Sequence, residues 1–396
     1  MMIYLDNNAT TKVDEKVLEA MLPYFKEEYA NPSSIYDFAK PSYKAIKEAR
    51  GVIKDFINAE NEKEIIFTSC GSESANTAIK GLLNYNKNKK HIITTKVEHP
   101  CVLNTYQTLE KQGYNTDYIN VNSNGDLDLE QLEASITPDT ALVSVMWANN
   151  ETGVIFPIKK ISEIIKSKNP ETKLFVDAVQ VAGKIPIDVQ EMGIDMLGIS
   201  GHKFHAPKGI GALYVNSKTL ITPLINGGHQ EKGKRAGTEN VPYIVGMAKA
   251  AELAQDALKY ETTEVKRLRD KLESTLLKNI YNARLNTSVI NRVPNTTNIG
   301  FEYVEGELIL LHMSDAGIYA SSGSACTSGS LEPSHVLRAM NVPFTSIHGS
   351  IRFSLSRYTT EKEIDYVCET MPKIIDKIIA ISPYQDELAD IKRHKM

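Results

Sequence analysis

Several short stretches of the chain set reactive side chains among residues that do little else. Lys203 stands in Ser200-Gly-His-Lys203, directly after the apolar run Asp195-Met-Leu-Gly-Ile199. A lysine among glycine and apolar neighbours loses hydration, which lowers its pKa and makes its amine a usable nucleophile. The plainer reading is a surface lysine. Asp177, in Val176-Asp-Ala-Val-Gln180, follows another apolar run. A carboxylate at the carboxyl end of a parallel strand sits where ligands bind, although it could also be a helix cap. In Phe67-Thr-Ser-Cys-Gly-Ser-Glu-Ser-Ala-Asn76 a strand gives way to small residues and then to a helix. Backbone amides at Gly71 and the hydroxyl of Ser72 can form an anion cradle there, or only a capping turn. An anion cradle, an acid for a pyridinium nitrogen and a Schiff-base lysine, in chain order on successive strands, are the parts a pyridoxal phosphate site requires.

A fourth stretch poses a different question. Ser321-Ser-Gly-Ser-Ala-Cys-Thr-Ser-Gly329 surrounds Cys326 with Gly, Ala, Ser and Thr alone. Such a segment buries little apolar surface and leaves the backbone wide freedom, whereas a cysteine is usually a core residue. Either the thiol is incidental or it has to travel.

The elements that must hold these residues are legible as a parallel sheet. From about residue 64 to 215, Glu64-Ile-Ile-Phe-Thr-Ser69, His91-Ile-Ile-Thr-Thr95, Ala141-Leu-Val-Ser-Val-Met146, Lys173-Leu-Phe-Val176 and Asp195 to Ile199 are continuous apolar runs separated by helical patterns. Continuous rather than alternating strands indicate a sheet covered on both faces. Gly209-Ile-Gly-Ala-Leu-Tyr-Val215 follows its predecessor closely, which suits an antiparallel addition. Val241 to Ile280 reads as one long helix, with Val265, Leu268, Leu272, Leu276 and Ile280 on one face. Beyond it lie two strand-like runs, Asn298–Phe301 and Gly349–Ser354, and an amphipathic helix from Glu361. The expected architecture is α/β: a large domain over 15–258 with a mostly parallel seven-stranded sheet, and a smaller α+β domain from 1–14 and 259–396 that carries the cysteine loop.

Composition narrows the function classes. With 396 residues, 42% hydrophobic and 24% charged, and a net charge of −4, the chain reads as an ordinary globular protein long enough for two domains. That charge gives no sign of direct nucleic-acid binding. No apolar run is long enough to span a bilayer, and Asp6 interrupts the N-terminus before a signal peptide could form. The four cysteines, Cys70, Cys101, Cys326 and Cys368, lack C-x-x-C spacing, so reduced thiols in a cytoplasm are expected rather than zinc or disulfides. Cys70, Cys101 and Cys368 read as small core residues. His205, three residues after His202, has no third ligand nearby and reads as a loop histidine, so no metal site is expected.

Over nearly its whole length the chain resembles the cysteine desulfurases of the NifS/IscS group, fold-type I pyridoxal phosphate enzymes of the class V aminotransferase family. The resemblance is carried by Tyr4-Leu-Asp-Asn-Asn-Ala-Thr-Thr11, Asn31-Pro-Ser-Ser34, Glu98-His-Pro100, Asn149-Asn-Glu-Thr-Gly153, Asp177 to Gln180, Ser200 to Lys203, Arg235-Ala-Gly-Thr-Glu-Asn240, Ser321 to Ser330 and Ile351-Arg-Phe-Ser354. It implies that Lys203 would hold the cofactor covalently and Asp177 would pair with the pyridine nitrogen. Gln180 and Asn150 would lie near the phenolic oxygen. Gly71, Ser72, Ser200 and His202 would bind the phosphate, with Thr238 reaching the neighbouring subunit's phosphate in a homodimer. His99 would stack on the ring and handle protons. Arg352, with Asn31, would clamp the carboxylate of the substrate L-cysteine. Cys326 would attack the substrate sulfur, take it as a persulfide and pass it to an acceptor such as an iron–sulfur scaffold protein, leaving L-alanine. Two departures stand out: Ser72 replaces the family's common threonine, and Tyr36 stands where histidine is frequent. Two other readings remain open, another lyase or aminotransferase using the same cofactor (one preferring selenocysteine, for example) and a non-catalytic docking subunit.

Overall fold

Thirteen strands and their connecting helices are seen in the computed structural model, which describes residues 2–322 and 333–395. In chain order the strands are β1 (Ile3–Tyr4), β2 (Ile65–Thr68), β3 (His91–Thr95), β4 (Asn115–Ile119), β5 (Thr140–Met146), β6 (Lys173–Asp177), β7 (Met196–Ser200), β8 (Gly211–Val215), β9 (Ala283–Leu285), β10 (Thr296–Phe301), β11 (Ile318–Tyr319), β12 (Ser321–Ser322) and β13 (Ser350–Ser354). Seven of them form one sheet in the order β2-β8-β7-β6-β5-β3-β4. All neighbours in it pair in parallel except β8, which is antiparallel to both β7 and β2. The sheet is therefore mostly parallel, as expected, and the short β7–β8 connection explains the reversed strand.

Alternation along each strand divides the core into two layers, because successive side chains point to opposite faces. Leu174 and Val176 of β6, Leu197 and Ile199 of β7, and Ala212 and Tyr214 of β8 face one layer, completed by Ile53, Ile161, Ile165, Met247 and Ala251 from the helices Lys40–Phe56, Ile158–Lys168 and Val241–Tyr260. Phe175, Met196, Leu213 and Val215 face the other, against Ala78, Ile79 and Leu82 of the helix Gly71–Tyr85 and Val102, Tyr106 and Leu109 of the helix Pro100–Glu110. Burying each Val, Leu, Ile, Phe or Met side chain among these stabilises the fold by about 1.5–3 kcal/mol. The edge strand β4, Asn-Thr-Asp-Tyr-Ile, is mostly half-buried and polar, and its pattern gave no strand signal.

The long helical stretch is present, with one break in its regularity: a π-helical turn at Glu261–Val265 separates Val241–Tyr260 from Lys266–Asn279. A third apolar cluster gathers Leu268, Leu272 and Leu276 of that second helix with Ile299, Phe301, Ile351 and Phe353 of a four-stranded sheet ordered β12-β13-β10-β9. Ile364, Val367, Met371 and Ile375 of the helix Glu361–Ile379 complete it, together with Ile3 and Leu5 from the N-terminus. β1 pairs in parallel with β11, and Ser354 N–H donates to Leu5 O (2.8 Å), so the N-terminal segment lies along this smaller sheet.

Candidate active site

β5, β6 and β7 end side by side at Met146, Asp177 and Ser200, and the reactive groups gather at this carboxyl edge. Asp177 is the last residue of β6 and is buried. Its carboxylate Oδ1 accepts the Val179 N–H (3.0 Å), and its carbonyl accepts the Trp147 N–H (2.8 Å). Burial pushes its pKa up, while His99, the Val179 amide and Lys203 pull the other way. His99 caps the helix Pro100–Glu110, with Nδ1 accepting the Cys101 N–H (3.2 Å). That bond puts the ring proton on Nε2. Burial lowers its pKa, opposed by Asp177 and aided by Lys203 and His335, so the ring is neutral at neutral pH.

Lys203 ends a single 3-10 turn, Gly201–Lys203, after β7. The turn needs glycine at 201, where a Cβ would meet Ala206 Cβ and Ile210 Cγ2 at 2.9 Å. The half-buried Lys203 Nζ donates to the carbonyls of Asn8 (2.6 Å) and Ala9 (2.8 Å). His202 faces Thr10 Oγ1 through Nδ1 (3.1 Å), and burial, with Lys203 and Lys208, lowers its pKa to about 4.

The helix Gly71–Tyr85 begins directly after β2 and points its first turn at the same edge. A Cβ on Gly71 would lie 2.9 Å from Val179 Cγ2 and 3.5 Å from Ser200 Cβ, so the bare backbone comes close to both. Ser200 is 1% exposed, and its hydroxyl has no hydrogen-bond partner among the described residues. Such a group is uncommon in a folded interior. The exposed Ser72 is hydrogen-bonded to the thiol of Cys101, whose pKa burial raises strongly. Cys70 and Cys101, expected as small core residues near the site, are only partly buried, and Cys368 is buried.

Gln180 and Asn150 join the cluster through Asn8. Gln180 Nε2 donates to Asn8 O (3.1 Å), and Asn8 Nδ2 donates to the Asn150 carbonyl (3.2 Å). Arg352 donates from β13 to the same Asn150 carbonyl (2.8 Å) and to Asp6 Oδ1 (2.6 Å), while its buried Nε has no partner among the described residues. Asn31 is exposed and its side chain accepts the Ser33 N–H (3.0 Å); no hydrogen bond joins it to Arg352 among the described residues. Thr238 is exposed on the rim of a cleft that also contains Ser69, Gly209 and Arg235. Cys326 lies outside the described residues. After that segment, Ser334 donates to the buried carboxylate of Glu151 (2.6 Å) and His335 Nε2 meets Glu98 O (2.9 Å).

Sequence reasoning passed over several buried groups here. Lys184 donates to Gln180 Oε1 (2.9 Å) and Asn8 Oδ1 (3.1 Å), and burial lowers its pKa to about 7. Glu98 accepts from Thr95 Oγ1 (2.7 Å) and Met146 N–H (2.9 Å) through Oε1 only, and burial raises its pKa to about 8. Both stand in stretches singled out above or just beyond one, at Glu98-His-Pro100 and after Asp177 to Gln180. For Lys184 the available signal was a charged residue inside the apolar run Val181 to Ile187.

Comparisons with known proteins find relatives over nearly the whole chain. The family model described as Aminotransferase class-V matches residues 3–367. A cysteine desulfurase of Nostoc sp. (strain PCC 7120) is 56% identical, over 98% of this chain and 96% of that protein. The cysteine desulfurase NifS of Azotobacter vinelandii is 50% identical, over 96% of this chain and 94% of its own. Among solved structures, a NifS-like protein superposes with a TM-score of 0.90 at 40% identity, covering 95% of this chain and all of the other.

Proposed function

The chain belongs to the aminotransferase class-V family and, within it, to the NifS-type cysteine desulfurases, and on that premise we propose that its carboxyl-edge site uses pyridoxal phosphate to take sulfur from L-cysteine, giving L-alanine and a persulfide on Cys326. The observation that carries the reading is the unpartnered, buried Ser200 hydroxyl against the glycine start of a helix, beside buried Asp177 and the amine of Lys203. These residues suit the cofactor. An orphaned hydroxyl and helix amides accommodate a phosphate, and a buried carboxylate is an apt partner for a protonated ring nitrogen. His202 and Ser72 flank the phosphate end, with Gln180 and Asn150 at the phenolic side.

Bound there, pyridoxal phosphate supplies an aldehyde that condenses with amines and a ring that takes up the electron pair left when a proton departs the amino acid's Cα. Lys203 would hold the cofactor, and its amine would accept that Cα proton. Asp177 keeps the ring nitrogen protonated. His99 presents its Nε2 proton to the reacting centre, since Nδ1 is occupied by the Cys101 amide. Arg352 receives the substrate carboxylate, for which its unpartnered Nε offers a further donor, with Asn31 as its proposed companion. The Cys326 thiolate attacks the substrate sulfur, so that an S–S bond forms as the C–S bond breaks. The net exchange is L-cysteine and thiol to L-alanine and persulfide.

Two copies share the sites in this reading. Leu18, Leu22, Phe25, Tyr29, Phe38 and Tyr43 form an exposed apolar series that a second copy would cover, and exposed Thr238 would reach the partner's phosphate. We assign residues 15–258 to a cofactor-binding unit, and 1–14 with 259–396 to the unit carrying Cys326. Among the described residues no helix is long and apolar enough to cross a membrane. A cytoplasmic enzyme delivering sulfur to an iron–sulfur scaffold protein is the setting we propose. The test is stoichiometric: purified enzyme given L-cysteine should release L-alanine, and the Cys326 peptide should gain one sulfur atom. A preparation with bound cofactor that forms no alanine would end the proposal.

A further inference from the structure

Glu73 is the third residue of the cradle helix, and its side chain is nearly buried. Its Oε2 accepts the Ser69 N–H (2.7 Å), which closes the turn between β2 and the helix, where the N-cap residue Cys70 offers no side-chain cap. The turn therefore depends on a carboxylate in the first turn of the helix whose N-terminus is proposed above to receive the phosphate. Like charges at such range repel. Arg235 meets this carboxylate from outside the helix, donating from Nε to Oε1 (2.9 Å) and from NH2 to Oε2 (3.4 Å). Burial by itself would raise the Glu73 pKa, but the bonds from Arg235 and Ser69 hold it below the usual carboxylate range, so it is ionised and paired.

The segment that delivers Arg235 is held firmly. Glu231 and Lys232 both adopt left-handed backbone conformations (φ 47° and 58°), which residues with a Cβ adopt only under strain. Buried Glu231 is gripped by Arg50 through two bonds (2.6 and 2.8 Å) and accepts the Phe67 N–H (3.2 Å) at the base of β2. Gln230 Oε1 accepts the Gly237 N–H (3.2 Å), one residue before Thr238. Strain of this kind persists where surrounding contacts overdetermine it.

We propose that Arg235 is a positioning residue of the phosphate end of the site: it draws the Glu73 carboxylate aside and neutralises it, so that the first turn of the cradle helix can receive a phosphate dianion. The inference rests on the cofactor reading above. In a homodimer the same pair ties the loop bearing Thr238 to the cradle helix.

The test compares pyridoxal phosphate, pyridoxal (which lacks the phosphate) and inorganic phosphate, each titrated into the cofactor-free full-length chain. The aldehydes are followed by absorbance and inorganic phosphate by calorimetry. Arg235→Gln should raise the Kd for pyridoxal phosphate and for inorganic phosphate at least tenfold and change that for pyridoxal less than twofold. Arg235→Lys, which keeps the charge, should stay within threefold of the parent. The double variant Glu73→Gln/Arg235→Gln should recover most of the loss, because the orphaned carboxylate is gone. A merely structural role would weaken both aldehydes alike and show no recovery. The proposal is overturned if Arg235→Gln keeps the parent's preference, if the double variant is as weak as the single, or, should Arg235→Gln not fold, if Arg235→Lys loses the preference. A parent protein that binds pyridoxal as tightly as its phosphate would overturn the cofactor reading itself, and this inference with it.

Discussion

Glu98 offers a quantitative check on the electrostatics of the carboxyl edge. It is 0% exposed, one carboxylate oxygen has no partner among the described residues, and burial raises its pKa to about 8, with Asp177 adding to the rise. In the unfolded chain the same side chain titrates near 4.3. Between these values the folded state holds a proton that the unfolded state has released, so stability falls as pH rises across the window. A gap of about 3.7 units at about 1.4 kcal/mol each amounts to about 5 kcal/mol lost between about pH 4.3 and 8 from this one group. Glu98→Gln keeps an oxygen for Thr95 and Met146 and cannot ionise, although its amide leaves a donor unpaired, at a cost of about 1–3 kcal/mol at every pH. The variant should accordingly be less stable than the parent near pH 5 and more stable near pH 9. Urea unfolding at half-unit steps between these limits reads the difference directly, and its slope should approach 1.4 kcal/mol per pH unit in mid-window. Parallel stability curves for the two proteins would refute the reasoning, since they would mean that Glu98 does not carry the extra proton.

Three further outcomes are expected. Cys326→Ala should retain the cofactor's visible absorbance and its spectral response to L-cysteine, yet form almost no alanine, with a stability change within about 0.5 kcal/mol; Cys70, Cys101 and Cys368 variants should keep most activity in the same alanine assay. Lys203→Ala should abolish turnover, and borohydride reduction of the parent followed by peptide mapping should label Lys203; a label elsewhere would remove the central assignment. Phe25→Arg with Tyr29→Arg should yield a monomer on size-exclusion chromatography that also binds pyridoxal phosphate more weakly, whereas a monomer of full affinity would contradict shared sites.

Much of the molecule was legible because its signals are local. A buried parallel strand must be apolar on both faces, so β3, β5, β6 and β7 announce themselves as continuous runs, and the residue at the end of each run falls at the carboxyl edge. Asp177, Lys203 and the Gly71–Ser72 turn are all of that kind. The half-buried edge strand β4 carries no such pattern, because a strand at the sheet's edge is not covered on both faces.

What only the tertiary structure decided is pairing between distant segments. No spacing rule links Arg352 to Asp6, or Lys184 to Asn8, since these contacts join residues 346 and 176 positions apart. The same holds for the proton state of Glu98 and for the pairing of Glu73 with Arg235, because desolvation and charge pairing depend on which atoms surround a group in space. The sequence by itself therefore determined the class of fold, the family and the chain order of the reactive residues, through strand periodicity and turn chemistry. The ionisation and hydrogen bonding of those residues were settled only when the chain closed around them and excluded water.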